Sequence, residues 1–427
     1  MQTFERLESE VRSYCRHFPR VFTKAVGSRL IDEDGREYVD FLAGAGVLNY
    51  GHNHPQFKRR LIEYLEADSI THSLDLATTA KRSFLETFEA VILQPRGLEY
   101  KLQFPGPGGA NAVEAALKLA RKVTGRRRVI AFTNGFHGMS LGALAVSGNL
   151  RARAAAHVEL NDATIMPFDG YLGANVDTLD VLERYLLDDH SGVDTPAAFI
   201  VETVQGEGGV NVARRAWLRR LERVARAHGI LLIVDDIQAG CGRCGSFFSF
   251  EDAGITPDIV CLSKALSGFG LPLAVTLMRP DLDRWLPGEH NGTFRGHNLA
   301  FVTATAALDY WRTPDLTRQV RIKGEIVADR LQEIALLRPD LRAAVRGRGL
   351  MRGIEFGDPG LASQVARQAF EAGLIIETSG PSDRVLKLMP PLTISVDDLA
   401  FGLDVIEAAV EAAAPRAGFA QTERAAA

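Results

Sequence analysis

Through the middle of this 427-residue chain, short continuous apolar runs alternate with amphipathic stretches. Residues 128–132, 198–203, 230–234, 259–262 and 274–278 are such runs, bounded by glycine, proline or charged residues. Their length and even hydrophobicity predict strands buried on both faces. Residues 110–123, 215–228 and 300–311 show helical spacing of apolar positions. Strands and helices in alternation predict an α/β fold with a mostly parallel central sheet covered on both sides. In such sheets ligands bind beyond the carboxyl ends of the strands. Lys264, Asp235 and Glu202 each fall at or near one of those ends.

The flanks read differently. Residues 20–50 predict a hairpin with Glu33-Asp34-Gly35-Arg36 at its turn and Tyr38-Val39-Asp40-Phe41 after it. Residues 315–412 predict long helices with short strands, including 351–356 and 385–388. The expected layout is therefore an N-terminal segment of a small α+β domain (1–50), a large domain (51–312), the C-terminal part of the small domain (313–415) and a flexible tail (416–427).

Composition narrows the function classes. Hydrophobic residues make up 46% and charged residues 24%, the balance of a globular protein. A net charge of −4 gives no electrostatic case for nucleic acid or an anionic membrane. No apolar run approaches the ~18 residues of a membrane span. The start Met1-Gln-Thr-Phe-Glu-Arg-Leu-Glu lacks the layout of a signal peptide, so a cytoplasmic location is expected. Cys241-Gly-Arg-Cys244 has the spacing of a redox pair or half a zinc site. No second such motif or histidine pair accompanies it, so two thiols in a glycine-rich turn, and no metal, are expected.

Candidate chemistry sits at the strand ends. Lys264 follows the apolar run Ile259-Val-Cys-Leu262, where desolvation lowers an amine's pKa and makes it a usable nucleophile. Leu231-Leu-Ile-Val234 ends in Asp235-Asp236, with Gln238 three residues beyond Asp235. Phe104-Pro-Gly-Pro-Gly108-Gly109-Ala110 leads into a helix, a start whose free N–H groups suit a phosphate. It is not a nucleoside-triphosphate loop, because no G-K-[ST] follows. Phe136 and His137, in Asn134-Gly-Phe-His-Gly138, put a flat ring and an imidazole after a strand. Glu202 and Glu207 flank a glycine-rich loop. Together these ask for a ligand with a phosphate, an aromatic ring and an electrophilic carbonyl. The loop takes the phosphate, Phe136 covers the ring, Asp235 pairs with a protonated ring nitrogen and Lys264 forms an imine. Pyridoxal phosphate has all three features.

Asp235-Asp-Ile-Gln-Ala-Gly-Cys-Gly-Arg243, Ser263-Lys264-Ala-Leu-Ser-Gly268, Gln205-Gly-Glu-Gly-Gly209 and Gly51-His-Asn-His-Pro55 resemble the class III (omega) aminotransferases of pyridoxal-phosphate fold type I, from Asp34-Gly35 to Pro390-Pro391. The resemblance implies that Lys264 holds the cofactor and shuttles the proton, and that Asp235 binds the pyridine nitrogen. It assigns the phenolic oxygen to Gln238, ring stacking to Phe136 and phosphate contacts to the Gly109 and Ala110 amides. Thr293, in Asn291-Gly-Thr-Phe-Arg-Gly296, resembles the residue that reaches a neighbouring subunit's phosphate, which implies a homodimer or higher homo-oligomer.

A narrower resemblance rests on Phe41-Leu-Ala-Gly-Ala-Gly46, Leu48-Asn-Tyr-Gly-His-Asn-His-Pro55, Ser267-Gly-Phe-Gly-Leu-Pro272, the 291–296 segment and Lys387-Leu-Met-Pro-Pro-Leu-Thr393. It is to members that pass the amino group of glutamate to aspartate 4-semialdehyde, giving 2,4-diaminobutyrate and 2-oxoglutarate, for ectoine or a related product. Ornithine, acetylornithine and GABA aminotransferases share the broader motifs. Many relatives pair a glutamate with an arginine as a gate between two substrates. Glu207 matches that glutamate, and Lys387 stands where ornithine-type relatives place arginine. Two further departures are Gly108 and Ala110 where phosphate loops usually carry hydroxyl residues, and Cys244 at a usual threonine.

Overall fold

The computed structural model describes residues 1–414, and the tail expected at 416–427 lies outside the described residues. Seven strands form the central sheet, in the order Lys101–Gln103, Val275–Met278, Ile259–Leu262, Leu231–Asp235, Ala198–Val201, Val129–Phe132, Ala163–Met166. The last five of these run parallel, and Val275–Met278 is antiparallel to both of its neighbours. The sheet is thus mostly parallel, an α/β arrangement.

Why the apolar runs become strands is visible in which face each residue covers. Ile130, Phe132, Phe199, Val201, Leu232, Val234, Val260 and Leu262 pack in one core, with Trp217, Leu218 and Leu221 of the helix Arg215–Ala227. The alternate residues Val129, Ala131, Ile200, Ile233, Ile259 and Cys261 pack in a second core with Ala112, Val113 and Ala116 of the helix Gly109–Thr124. Successive side chains of a strand point to opposite faces, so a strand with helices on both sides has to be apolar throughout. The edge strands Lys101–Gln103 and Ala163–Met166 are less uniformly apolar and were not picked out from the sequence.

The chain ends meet in two smaller sheets. Phe22–Val26, Arg29–Asp32 and Glu37–Asp40 form an antiparallel meander, and Leu374–Ile375 joins it parallel to Glu37–Asp40. Gly35 makes the turn with φ +83°, a conformation that suits glycine. Ala344–Arg348, Met351–Glu355, Val385–Leu388 and Glu377–Ser379 form the other sheet, antiparallel throughout. Arg243 clamps these parts together from the large-sheet side. Its fully buried guanidinium donates to Leu350 O (3.1 Å), Pro390 O (2.5 Å) and Asn49 Oδ1 (2.6 Å).

Candidate active site

Beyond the carboxyl ends of the parallel strands lies a cavity of ≈ 200 Å³. Gly109, Ala110, Phe136, His137, Glu202, Glu207, Asp235, Gln238 and Lys264 all line it. A larger cleft of ≈ 610 Å³, between residues 168–171 and 345–347, contains neither Lys264 nor Asp235. The chemistry therefore belongs to the smaller cavity.

The floor is built by strand ends. Asp235 closes Leu231–Asp235, and its Oδ1 accepts the Ile237 amide at 3.2 Å. Its Oδ2 meets His137 Nδ1 at 2.7 Å, with both side chains almost fully buried. Burial works against a charged His137, but the hydrogen bond and charge of Asp235 outweigh it and raise the imidazole's pKa. Glu202 Oε1 accepts the Phe136 amide at 2.8 Å, which fixes the backbone that carries the ring. Burial pushes the Glu202 pKa up to about 7, against the pull of His137 and with the push of Asp235. One wall is the start of Gly109–Thr124, whose first amides have no partner within the helix. Gly109 lets that start lie against Ile237, since a Cβ there would stand 3.1 Å from Ile237 Cδ1. Gly138 (φ +127°) is needed beside it, because its Cβ would fall 2.6 Å from Ala110 Cβ.

Lys264 begins a short 3-10 turn directly after Ile259–Leu262, with φ +46°. A non-glycine residue in this region costs on the order of 1–3 kcal/mol, a strain typical of functional positions. Burial lowers its pKa, partly offset by Glu207. An unprotonated amine in a shielded cavity can act as nucleophile and as proton carrier.

The opposite wall carries charge. Glu207 Oε1 accepts from Lys387 Nζ (2.8 Å) and from Gln238 Nε2 (3.1 Å). Burial would raise the Glu207 pKa, but Lys387, Lys264 and these two hydrogen bonds hold it at about 2. Gln238 Nε2 also donates to Ala45 O (3.0 Å), while its Oε1 is buried without a partner. Gly206 makes room for that amide, since a Cβ would lie 1.6 Å from Gln238 Oε1.

Two residues picked out from the sequence do not line the cavity. Lys387, fully buried on Val385–Leu388, stands behind Glu207. Thr293 is exposed, and its carbonyl accepts from His72 Nε2 at 3.0 Å. Conversely, sequence reasoning passed over Ile237, Gly138 and Glu377. Glu377 stands opposite Lys387 in the small sheet, with an Oε1–Nζ separation of 3.0 Å. Its signal was present: the apolar run Leu374-Ile-Ile376 ends in that carboxylate, the same pattern that exposed Asp235. Cys241 and Cys244 are both buried free thiols.

Comparison with known proteins is consistent with this geometry. The model of the family "Aminotransferase class-III" matches residues 12–410. A diaminobutyrate–2-oxoglutarate transaminase of Halalkalibacterium halodurans is 58% identical, with 96% of each chain covered. One of Streptomyces anulatus is 60% identical over 94% of this chain and 96% of that protein. Among solved structures, the ornithine aminotransferase of Toxoplasma gondii, with partial occupancy of PLP at its active site, superposes with a TM-score of 0.84 at 27% identity. That alignment covers 96% of this chain and 94% of the other.

Proposed function

We infer the reaction from a premise: the chain belongs to the class-III aminotransferases. It is a pyridoxal-phosphate enzyme that moves the amino group of L-glutamate to L-aspartate 4-semialdehyde, giving L-2,4-diaminobutyrate and 2-oxoglutarate. The observation that carries this reading is one cavity holding Lys264, Asp235 and Glu207 in a chain 58% identical, nearly end to end, to a diaminobutyrate–2-oxoglutarate transaminase.

The residues present fit the cofactor. The buried, unpartnered Oε1 of Gln238 calls for a polar partner in the cavity, and the close approach of Gly109 and Ile237 leaves a narrow slot beside the helix start. Gly109 and Ala110 would hold the phosphate, Phe136 the ring, Asp235 the ring nitrogen and Gln238 the phenolic side. His137 and Glu202 support them from below. When bound, pyridoxal phosphate supplies an electron sink for charge developing on the substrate carbon.

The chain's own residues do the rest. Lys264 Nζ, whose pKa burial lowers, would take the proton from the reacting substrate carbon and deliver it to the cofactor's carbon. Asp235 is held at the cavity floor in a fixed orientation by His137 and the Ile237 amide. Glu207 and Lys387 serve the selection of substrates. Glutamate presents a carboxylate beside its reacting carbon, whereas the semialdehyde reacts at the end remote from its carboxylate. One wall must therefore serve two charge patterns, and Glu207 is the group on that wall within reach of a substrate.

The reading includes a cytoplasmic homodimer. Unpaired cysteines support the first part. Exposure of Thr293 and of Phe294, 65% accessible in the single chain, supports a second copy seated on this segment. Among the described residues no helix is long and apolar enough to cross a membrane.

The test is a half-reaction spectrum of the yellow holoenzyme mixed in turn with glutamate, diaminobutyrate, ornithine and GABA. Fast bleaching by glutamate and diaminobutyrate, with ornithine and GABA slow, is expected. Faster conversion by ornithine or GABA would move the enzyme to a neighbouring branch of the family.

A further inference from the structure

Lys387 does not have one counter-charge but two. Its Nζ lies 2.8 Å from Glu207 Oε1 and 3.0 Å from Glu377 Oε1, and the lysine side chain has no solvent exposure. Glu377 arrives by strand register: Glu377–Ser379 pairs antiparallel with Val385–Leu388, and Glu377 is the residue directly opposite Lys387. It too is buried, 6% exposed. Tyr14, on the short helix Tyr14–His17, is half exposed and stands beside the same group; partial desolvation and then the charges of Glu377 and Glu207 raise its phenol's pKa.

Burial and the charge of Glu207 raise the pKa of Glu377 against the pull of Lys387, and with both carboxylates ionised around one ammonium a surplus of one negative charge remains. A one-to-one glutamate–cation gate is neutral when closed and frees a full positive charge when the glutamate moves aside. In this chain, displacement of Glu207 leaves Lys387 still neutralised by Glu377. The wall is therefore a poor clamp for a lone carboxylate and a favourable one for a substrate end that carries an ammonium beside its carboxylate. Buried charges interact with little screening, so one surplus charge is enough to discriminate.

We propose that Glu377 is a specificity-determining residue, whose charge, relayed through Lys387 and Glu207, makes the enzyme favour an amine donor bearing a second ammonium at its far end. The inference rests on the diaminobutyrate reading of this site. It acts through other side chains, so Glu377 is a positioning residue rather than a catalytic one.

Diaminobutyrate and GABA provide the clean comparison, because they share a four-carbon skeleton and a terminal amine and differ in the 2-amino group. The measurement is kcat/KM of each in the half-reaction of holoenzyme. In Glu377→Gln the diaminobutyrate-to-GABA ratio is expected to fall by about tenfold, as expected for loss of one buried charge near the recognised ammonium. The kcat/KM of glutamate is expected to rise. Glu377→Asp, which retains the charge but withdraws it, should give an intermediate ratio, and it carries the test if the glutamine variant does not fold. An unchanged ratio in either folded, yellow variant would overturn the proposal and leave Glu377 a structural partner of Lys387. A wild-type enzyme that prefers GABA to diaminobutyrate would instead refute the reading on which the proposal stands.

Discussion

The two sides of the cavity use the same kinds of group, but the carboxylates that line it, Glu202 on the floor and Glu207 on the wall, are shifted in opposite directions. On the floor, Asp235 and Glu202 surround one nitrogen base, His137. On the wall, Glu207 and Glu377 surround another, Lys387. On the floor, burial raises Glu202 to about 7, so one of the two carboxylates holds its proton near neutrality. On the wall, Glu207 is held at about 2. Lys387, Lys264 and Gln238 together offset burial for Glu207, whereas burial and the charge of Glu207 raise the pKa of Glu377 against the pull of Lys387, and an imidazole already engaged by Asp235 does not offset burial for Glu202. The floor suits a cofactor that stays, and the wall suits substrates that come and go.

Lys264 is the side chain that feels both groups, since Glu207, Glu377 and Asp235 all act on its charge. Lys264→Ala is expected to lower the half-reaction rate by at least about 10⁴-fold, through loss of nucleophile and proton carrier together. Stopped-flow spectra with glutamate provide the check, and substantial turnover in this variant would remove Lys264 from the mechanism. Asp235→Asn breaks the floor alone. It is expected to cost about 10²–10³-fold for every amine donor, as removal of a preorganised charge does. A loss restricted to one donor would instead assign Asp235 to substrate selection, the role proposed for the wall.

Stability against pH separates Glu207 from Glu202 by sign. Glu207 has a folded pKa of about 2, below the unfolded value of about 4.3. Its contribution is therefore present above the unfolded value and is lost as pH falls towards 2. Glu202, raised to about 7, behaves oppositely. The folded state keeps the Glu202 proton longer than the unfolded chain, so its contribution is present below about 4.3 and is lost as pH rises to about 7. In Tm-versus-pH curves, Glu207→Gln should flatten the acid limb and Glu202→Gln the fall between weakly acidic and neutral pH. Identical curves for both variants would erase the distinction. The smallest expected effect is at the phosphate end, where Ala110→Ser restores one hydroxyl. Slower loss of cofactor on dialysis, by about 2–10-fold, corresponds to one added hydrogen bond. Gly108→Thr is a poorer test, because a Cβ at Gly108 stands 3.2 Å from Asn111 Oδ1, which already accepts the Gly108 amide.

Local pattern was enough for the floor. A buried parallel strand has to be apolar along its length, so a polar residue at its end stands out, and Asp235, Glu202 and Lys264 were all legible in that way. The helix start at Gly109 was legible because glycine and proline mark a turn ahead of helical spacing. The motifs shared with the class-III family assigned Gln238 and matched Glu207 and Lys387, without saying what surrounds them.

Tertiary structure alone decided the wall. Glu207 and Lys387 are 180 residues apart, and no periodicity connects them. They meet because the small sheet, formed late in the chain, packs over the loop that follows a large-sheet strand. Glu377 enters through antiparallel register, which fixes what stands opposite Lys387 but depends on which strands pair. Proximity in sequence determines what a strand end presents, because backbone geometry is local. Charge stoichiometry at a site is a sum over whatever the fold brings within a few ångströms, and only the packed chain fixes that sum.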